Sequence, residues 1–221
     1  IEVYKETSKY YLAKVTNYIK KSNNRIECKC EYNNCGGCDF ECVSEEYYYK
    51  IKSEILYSNI IKNFPYFNKE NLNIFKVGYG KRRRITLNYS NGIFGFFEKE
   101  SNNIVHIKKC LNVVEDINLI IEKLDNLKLP NLSSLDITKI DNGIILNFNF
   151  SNSFNINELK KIEFLKPYSI LISYCINQST PIRYFIKEEP ILKLGNKNII
   201  IPEKCFLQAT KESQDFMIDT V

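Results

Sequence analysis

Five cysteines crowd into fifteen residues near the start of this chain: Cys28, Cys30, Cys35, Cys38 and Cys42. The tightest piece, Cys35-Gly36-Gly37-Cys38, puts two thiols on one short loop. Its glycines let the backbone curl closely around a bulky inorganic centre. A third thiolate comes from Cys30 or Cys28, and a fourth must come from far along the chain. Cys110 is the best placed, between an expected strand and an expected helix. Zinc sites usually pair two clips, and no Cys or His follows Cys110 within three residues. Three clustered thiolates and one distant thiolate form the commoner iron–sulfur pattern. Cys30-x4-Cys35-x2-Cys38 equals the plant-ferredoxin spacing, which goes with a two-iron cluster, so spacing leaves the nuclearity open. Zinc and uncoordinated thiols stand as the alternatives. Cys42, Cys175 and Cys205 have no spacing partner and read as small buried hydrophobes.

The second feature is charge. From Asn71 to Ser90 there is no acid, while Lys76, Lys81, Arg82, Arg83 and Arg84 are basic, and the tripeptide 82–84 holds three of the chain's five arginines. A local field of this kind suits a polyanion such as RNA; the alternative is a solvated basic strand. His106 is the sole histidine and reads as a surface or strand residue rather than a catalytic one.

These residues need elements to hold them. Ser44 is a candidate N-cap followed by Glu45 and Glu46, and Tyr48, Ile51, Ile55 and Leu56 recur at helical spacing, so a helix is expected over 44–62, ended by Pro65. Residues 84–89 alternate, with Ile85, Leu87 and Tyr89 on one face and Arg84, Thr86 and Asn88 on the other. Ser90-Asn91-Gly92 then reads as a hairpin turn, with strands returning over 93–97 and 104–107. Asn112 with Glu115 resembles a capping box ahead of a helix over 113–125. A second hairpin is expected around Asp141-Asn142-Gly143, a short helix over 156–163, a strand over 169–174, and strands 191–194 and 199–201 about a turn at 195–198. The tail from Thr210 reads as a helix without a stop signal. Residues 10–18 are rich in strand formers, and 22–25 read as a turn.

Composition bounds the rest. A chain of 221 residues with net charge +5 suits one elaborate domain or two small ones. No run of 18 apolar residues occurs, so no membrane span is expected. No signal-peptide pattern opens the chain, so a cytoplasmic location and a metal or cluster site are expected rather than a disulfide framework. Residue 1 is Ile, not Met, and the chain reads as part of a longer product.

Three stretches together resemble the S-adenosylmethionine-dependent RNA uracil-5-methyltransferases, in particular the iron–sulfur-containing 23S ribosomal RNA type. They are Cys30 to Phe40 with the following helix; Arg82-Arg83-Arg84-Ile-Thr-Leu with Gly95-Phe96 and Ile104 to Cys110; and Ile201-Pro202 to Phe206-Leu207-Gln208-Ala209-Thr210. The resemblance implies a 4Fe–4S cluster on Cys35, Cys38, Cys110 and one of Cys30 or Cys28. The family gap before the Cys-Gly-Gly-Cys element is five residues; Cys30 leaves four and Cys28 leaves six, and the Cys-x-Tyr context favours Cys30. It implies Gln208 as a contact to S-adenosyl-L-methionine and Lys81, Arg82, Arg83 and Arg84 as RNA contacts.

The fold class so implied is α+β: a remnant of an OB-like (TRAM) β domain over 1–27, a cysteine-cluster loop with its helix over 28–66, and a β-rich RNA-contacting domain over 67–205. Residues 206–221 would begin a methyltransferase domain whose Rossmann-like body is missing. In the family a cysteine adds to C6 of a flipped-out uridine, C5 takes the methyl group, and a base removes the C5 proton. No glycine-rich donor loop or matching nucleophile is present in this sequence, so no catalytic residue is assigned and the chain is not expected to be active alone. The expected partner is RNA, ribosomal before transfer RNA. A separately encoded catalytic part is a further candidate partner, and a monomer with no membrane association is expected. A non-catalytic iron–sulfur RNA-binding module is the competing reading.

Overall fold

The computed structural model describes residues 1–220 and divides the chain into two compact units. One comprises Ile1–Lys29 with Phe40–Leu72; the other comprises Cys30–Asp39 with Asn73–Val221. Among the described residues no helix is long and apolar enough to cross a membrane.

The first unit opens with a hairpin of strands β1 (Glu2–Glu6) and β2 (Tyr11–Lys14). The turn expected at 22–25 forms, with Arg25 N–H donating to the Ser22 carbonyl at 3.0 Å. Helix α1 spans Glu45–Asn63. Ser44 caps it as expected: its hydroxyl accepts from Tyr47 N–H at 3.4 Å, and Glu45 and Glu46 complement the positive end of the helix dipole. The helix stops two residues before Pro65. Its apolar positions are not buried in this unit, where Ile55 is 51% and Leu56 45% exposed. Cys28 and Cys42 form a disulfide with Cα atoms 4.4 Å apart. This corrects two expectations, that disulfides are absent and that Cys42 is an unpaired filler.

The second unit is built on a seven-stranded sheet in the order β5-β4-β3-β6-β7-β8-β9. Its strands are β3 (Arg84–Ser90), β4 (Ile93–Phe97), β5 (Ile104–His106), β6 (Leu132–Ile140), β7 (Gly143–Phe150), β8 (Leu171–Ile176) and β9 (Ile182–Ile186). Every neighbouring pair is antiparallel except β7 with β8. A parallel pair needs a crossover; here a 3-10 helix over Ile156–Tyr168 supplies it, longer than the helix expected at 156–163.

The β3–β4 turn uses Asn91 (φ 52°) and Gly92 (φ 87°), the left-handed pair that matches strand twist. The turn at Asp141-Asn142 works differently, through its side chains. Asn142 Oδ1 accepts from Ile191 N–H at 2.9 Å and Asp141 Oδ2 from Lys193 N–H at 2.7 Å. They dock β10 (Ile191–Leu194), which pairs with β11 (Lys197–Ile200) across the short turn Gly195-Asn196.

Helix α2 (Glu115–Lys123) buries Ile117, Ile120 and Ile121, and the 3-10 helix buries Leu159, Ile162 and Leu165. Both pack with Leu87, Leu135, Ile137, Leu146, Phe148 and Ile172 of the sheet in the main core. A smaller cluster joins Ile145 and Leu171 to Leu192, Ile201 and Leu207. Helix α3 (Lys211–Thr220) closes the described chain.

Candidate functional site

The cysteine loop and Cys110 lie in the same unit. The loop is sewn onto β4. Gly36 N–H donates to the Phe97 carbonyl at 2.8 Å, Lys99 N–H donates to the Asn34 carbonyl at 3.1 Å, and Cys35 bridges to Glu98. A Cβ at Gly36 would stand 2.8 Å from the Phe97 oxygen, so only glycine permits this approach. Next to the loop lies an open cleft of about 430 Å³ lined by Gly36, Gly37, Asp39, Phe96 and Lys99 among others.

Two side chains carry the loop across to the Cys110 segment. The Tyr32 hydroxyl accepts from Lys108 N–H at 3.0 Å, and Asn112 Nδ2 donates to Cys38 Sγ at 2.9 Å. Burial raises the Tyr32 pKa above its usual value, which keeps the phenol neutral. Cys110 itself is clasped by Asn118 of α2. Its N–H donates to Asn118 Oδ1 at 2.9 Å, and its carbonyl accepts from Asn118 Nδ2 at 3.2 Å. Asn118 is 2% exposed, and its amide holds both backbone groups of Cys110 while its Nδ2 also reaches Glu115 Oε2 at 3.5 Å.

Asn112 therefore does not cap α2, contrary to expectation. The helix starts two residues later than a cap at Asn112 would place it: the cap position falls at Val114, without a side-chain bond, and the Asn112 Nδ2 donates to Cys38 Sγ. Tyr32, Asn112 and Asn118 were missed as site residues. The signal for Asn118 was a polar residue within the apolar face of an amphipathic helix.

Cys30, Cys35, Cys38 and Cys110 are all partly exposed thiols of the one unit, whereas Cys28 is consumed by its disulfide in the other. The four thiols lie on two segments that Tyr32 and Asn112 tie together. No group of three or more His, Cys, Asp or Glu among the described residues is arranged as a metal-binding group.

The basic run divides. Lys81 and Arg82 are exposed and Arg84 is half-buried. Lys81 Nζ pairs with Glu212 Oε1 at 3.0 Å. Arg83 is 4% exposed and turns inward, which corrects its place among the RNA contacts. Its Nε donates to the Gln208 carbonyl at 3.1 Å and its Nη2 to Gln214 Oε1. Burial lowers its pKa, while Asp141, Asp215 and Glu212 pull it back up, so its charge is balanced from within. The same contact fixes the backbone of Gln208. His106 lies on β5, 3.6 Å from Asp125 Oδ1. Cys205 is a partly buried thiol whose pKa burial raises. Cys175 is fully buried, but not among apolar groups alone: its Sγ donates to Asn149 Oδ1 at 2.9 Å and accepts from Lys204 Nζ at 3.3 Å.

No protein-family profile matches the chain. Individual relatives do. It is 24% identical over 99% of its length to the 23S rRNA (uracil(1939)-C(5))-methyltransferase RlmD of Aliivibrio fischeri, covering 53% of that protein. It is 26% identical over 72% of its length to the protein of that name from Mannheimia succiniciproducens, covering 39% of it. The chain is a homologue of the RNA uracil-C5-methyltransferases. It spans about half the length of the curated relatives it matches along its whole length. The fold agrees: a Pyrococcus abyssi tRNA (uracil-54, C5)-methyltransferase, solved with S-adenosyl-L-homocysteine, superposes with a TM-score of 0.67. That likeness covers 98% of this chain and 55% of the other at 16% identity, which speaks to fold alone. As a methyltransferase homologue, the chain places the segment around Gln208 against the basic strand through Arg83.

Proposed function

We propose that this chain is the cluster-bearing and RNA-contacting portion of an S-adenosylmethionine-dependent RNA uracil-C5-methyltransferase acting on 23S ribosomal RNA. The observation that carries the proposal is the similarity to 23S rRNA enzymes across 99% of the chain. In this reading Cys30, Cys35, Cys38 and Cys110 hold a 4Fe–4S cluster, whose thiolate ligation fixes two segments distant in sequence to one another. Lys81, Arg82 and Arg84 contact RNA phosphates, and Gln208 contacts the methyl donor. Residues 1–27 belong to an OB-like domain, a reading the β1–β2 hairpin supports. Catalysis of methyl transfer rests with residues outside this sequence, in a Rossmann-like domain, and the chain alone binds RNA without methylating it.

RNA binding is tested by the salt dependence of affinity for a 23S rRNA fragment. Each lost phosphate contact on single-stranded RNA flattens the log–log salt slope by about 0.7. The double variant Arg82→Ala/Arg84→Ala should therefore flatten it by about 1.4. Arg83→Ala should leave the slope in place and lower stability by about 1–3 kcal/mol, because it leaves the Gln208 carbonyl and the buried Gln214 Oε1 without their donor. An unaltered slope in the double variant removes the RNA-contact role.

A further inference from the structure

We propose that the sheet face opposite the main core is a base-reading surface, on which Asn88, backed by Asp136, hydrogen-bonds the edge of an unstacked adenine in single-stranded RNA. The inference rests on the reading that this chain contacts RNA. It adds which face meets the bases and which base is preferred.

Strand parity separates the two faces of the sheet. Leu87, Leu135, Leu146 and Ile172 enter the main core, and their alternates point the other way. Register sets those alternates in rows across β3, β6, β7 and β8. One row runs Thr86, Asp136, Asn147, Ser173, and the next runs Asn88, Ser134, Asn149, Cys175. The row on the other side, which starts at Arg84, ends in Ile145 and Leu171, and these two are covered by Leu192 and Ile201. An antiparallel sheet can leave one face to water, but asparagine and aspartate are poor strand formers, and here they are held in fixed positions. Asp136 Oδ1 accepts from the Thr86 hydroxyl at 2.6 Å, and Oδ2 accepts from Asn149 Nδ2 at 3.0 Å. Asn149 Oδ1 accepts from Asn147 Nδ2 at 2.9 Å, and Asn147 Oδ1 accepts from the Ser173 hydroxyl at 2.8 Å. Asn147 and Ser173 are 1% and 0% exposed, while Asp136 and Asn149 are half-buried. A buried polar layer thus orients an accessible one, as a recognition site requires.

Asn88 stands at the open end of this network. It is half-buried, and its amide makes no side-chain hydrogen bond among the described residues, so its carbonyl and its amino group are both left for a ligand. An asparagine amide meets an adenine edge through two hydrogen bonds at once. Asp136 accepts and does not donate. Thr86, Asn147 and Asn149 use three of its roughly four acceptor sites, which leaves Oδ1 room for the amino group of a base. Its charge repels phosphate, and uracil has no amino group to offer it. The phosphates have their own cation on the same face, Arg84, one row away from Thr86. The acid-free basic run from Asn71 to Ser90, which contains β3, favours RNA over a protein partner here. Reading unstacked bases by their edges is how proteins select single-stranded RNA.

The experiment titrates the 221-residue chain with a short oligouridylate and with the same strand carrying one central adenine, at several salt concentrations. The parent should bind the adenine strand at least about fivefold tighter. The salt slope should be the same for both strands, because the phosphates are the same. Asn88→Ala should erase the preference and keep the parent's affinity for plain oligouridylate. Asp136→Asn should shrink the preference. Circular dichroism controls for folding; should the Asp136 variant not fold, Asn88→Ala decides alone, since Asn88 lies outside the hydrogen-bonded network. A parent that binds both strands equally, or an Asn88→Ala variant that keeps the preference, overturns the inference and leaves the RNA-contact reading standing; a face that docks protein gives the same result. A parent with no salt-dependent binding to either strand overturns the RNA-contact reading, and this inference with it.

Discussion

Cys28 and Cys30 sit two positions apart, and neither keeps the family spacing to Cys35, so spacing alone could not separate them. The structure separates them by neighbourhood. Cys28 is bonded to Cys42 in one unit, and Cys30 is a thiol in the unit that holds Cys35, Cys38 and Cys110. In protein purified anaerobically, Cys30→Ser should therefore lose most of its iron, while Cys28→Ser should keep the parent's iron and sulfide. Iron analysis giving the reverse order would make Cys28 the ligand and the disulfide an alternative to metal binding. Arg83 teaches a related lesson. A run of charges reads as solvated surface, yet strand parity puts Arg83 with Ile85 and Leu87, which are 6% and 0% exposed. Arg84 has the parity of Thr86 and Asn88, which are exposed and half-buried. Period-two alternation thus carried the distinction among the arginines, and the charge of the run hid it.

At the scale of elements, what local chemistry dictates was legible. The β3–β4 hairpin follows from alternation and an Asn-Gly turn, and α1 follows from Ser44 with its two glutamates. What tertiary contacts decide was not. The edge strand β9 buries none of its residues fully, so Ile182–Ile186 lacks the alternation that marks a strand against a core. The capping-box pattern at Asn112 is local, and the helix instead begins after Val114, while the Asn112 N–H bonds a sulfur that no local pattern shows. Helix α2 also illustrates how an element serves a site. Its apolar face anchors in the main core through Ile117, Ile120 and Ile121, and Asn118 on the same helix holds both backbone groups of Cys110. Asn118→Ala leaves that anchor in place and deletes the clasp. Its cost in stability should be about 1–3 kcal/mol, that of unsatisfying buried polar groups. Iron retention should drop with it, while α2 stays formed by circular dichroism. Unchanged iron retention in a destabilised variant would show that Cys110 needs no clasp.

At the scale of the molecule, the question is what a cluster on the four proposed ligands would support. The two apolar clusters of the sheet unit contain none of the four proposed ligands among their fully buried members. Their burial therefore survives without metal, at roughly 25 cal/mol for each Å² of apolar surface. In this proposal the segments tied through the thiolates are the loop 30–39 and, next to the core residue Val113, the stretch 108–112. Low local contact density lets such segments open without the core. One end of that opening reaches the RNA surface. Arg82 is paired on both backbone sides to Asn112 and Val114 and bridged to Thr210, so release of the 108–112 stretch removes one of the segments that frame the exposed arginine. Removing iron with a chelator under anaerobic conditions should thus leave the main thermal transition within a few degrees of the holoprotein. It should raise hydrogen exchange at 30–39 and 108–112, and weaken RNA binding several-fold without altering the count of phosphate contacts. The salt slope separates this from a lost charge: a looser frame lowers affinity at every salt concentration, whereas a lost contact flattens the slope. If iron-free protein instead unfolds as a whole, the cluster is a global staple of this unit. If it binds RNA as tightly as before, the link from Cys110 through Asn112 to Arg82 carries no energy.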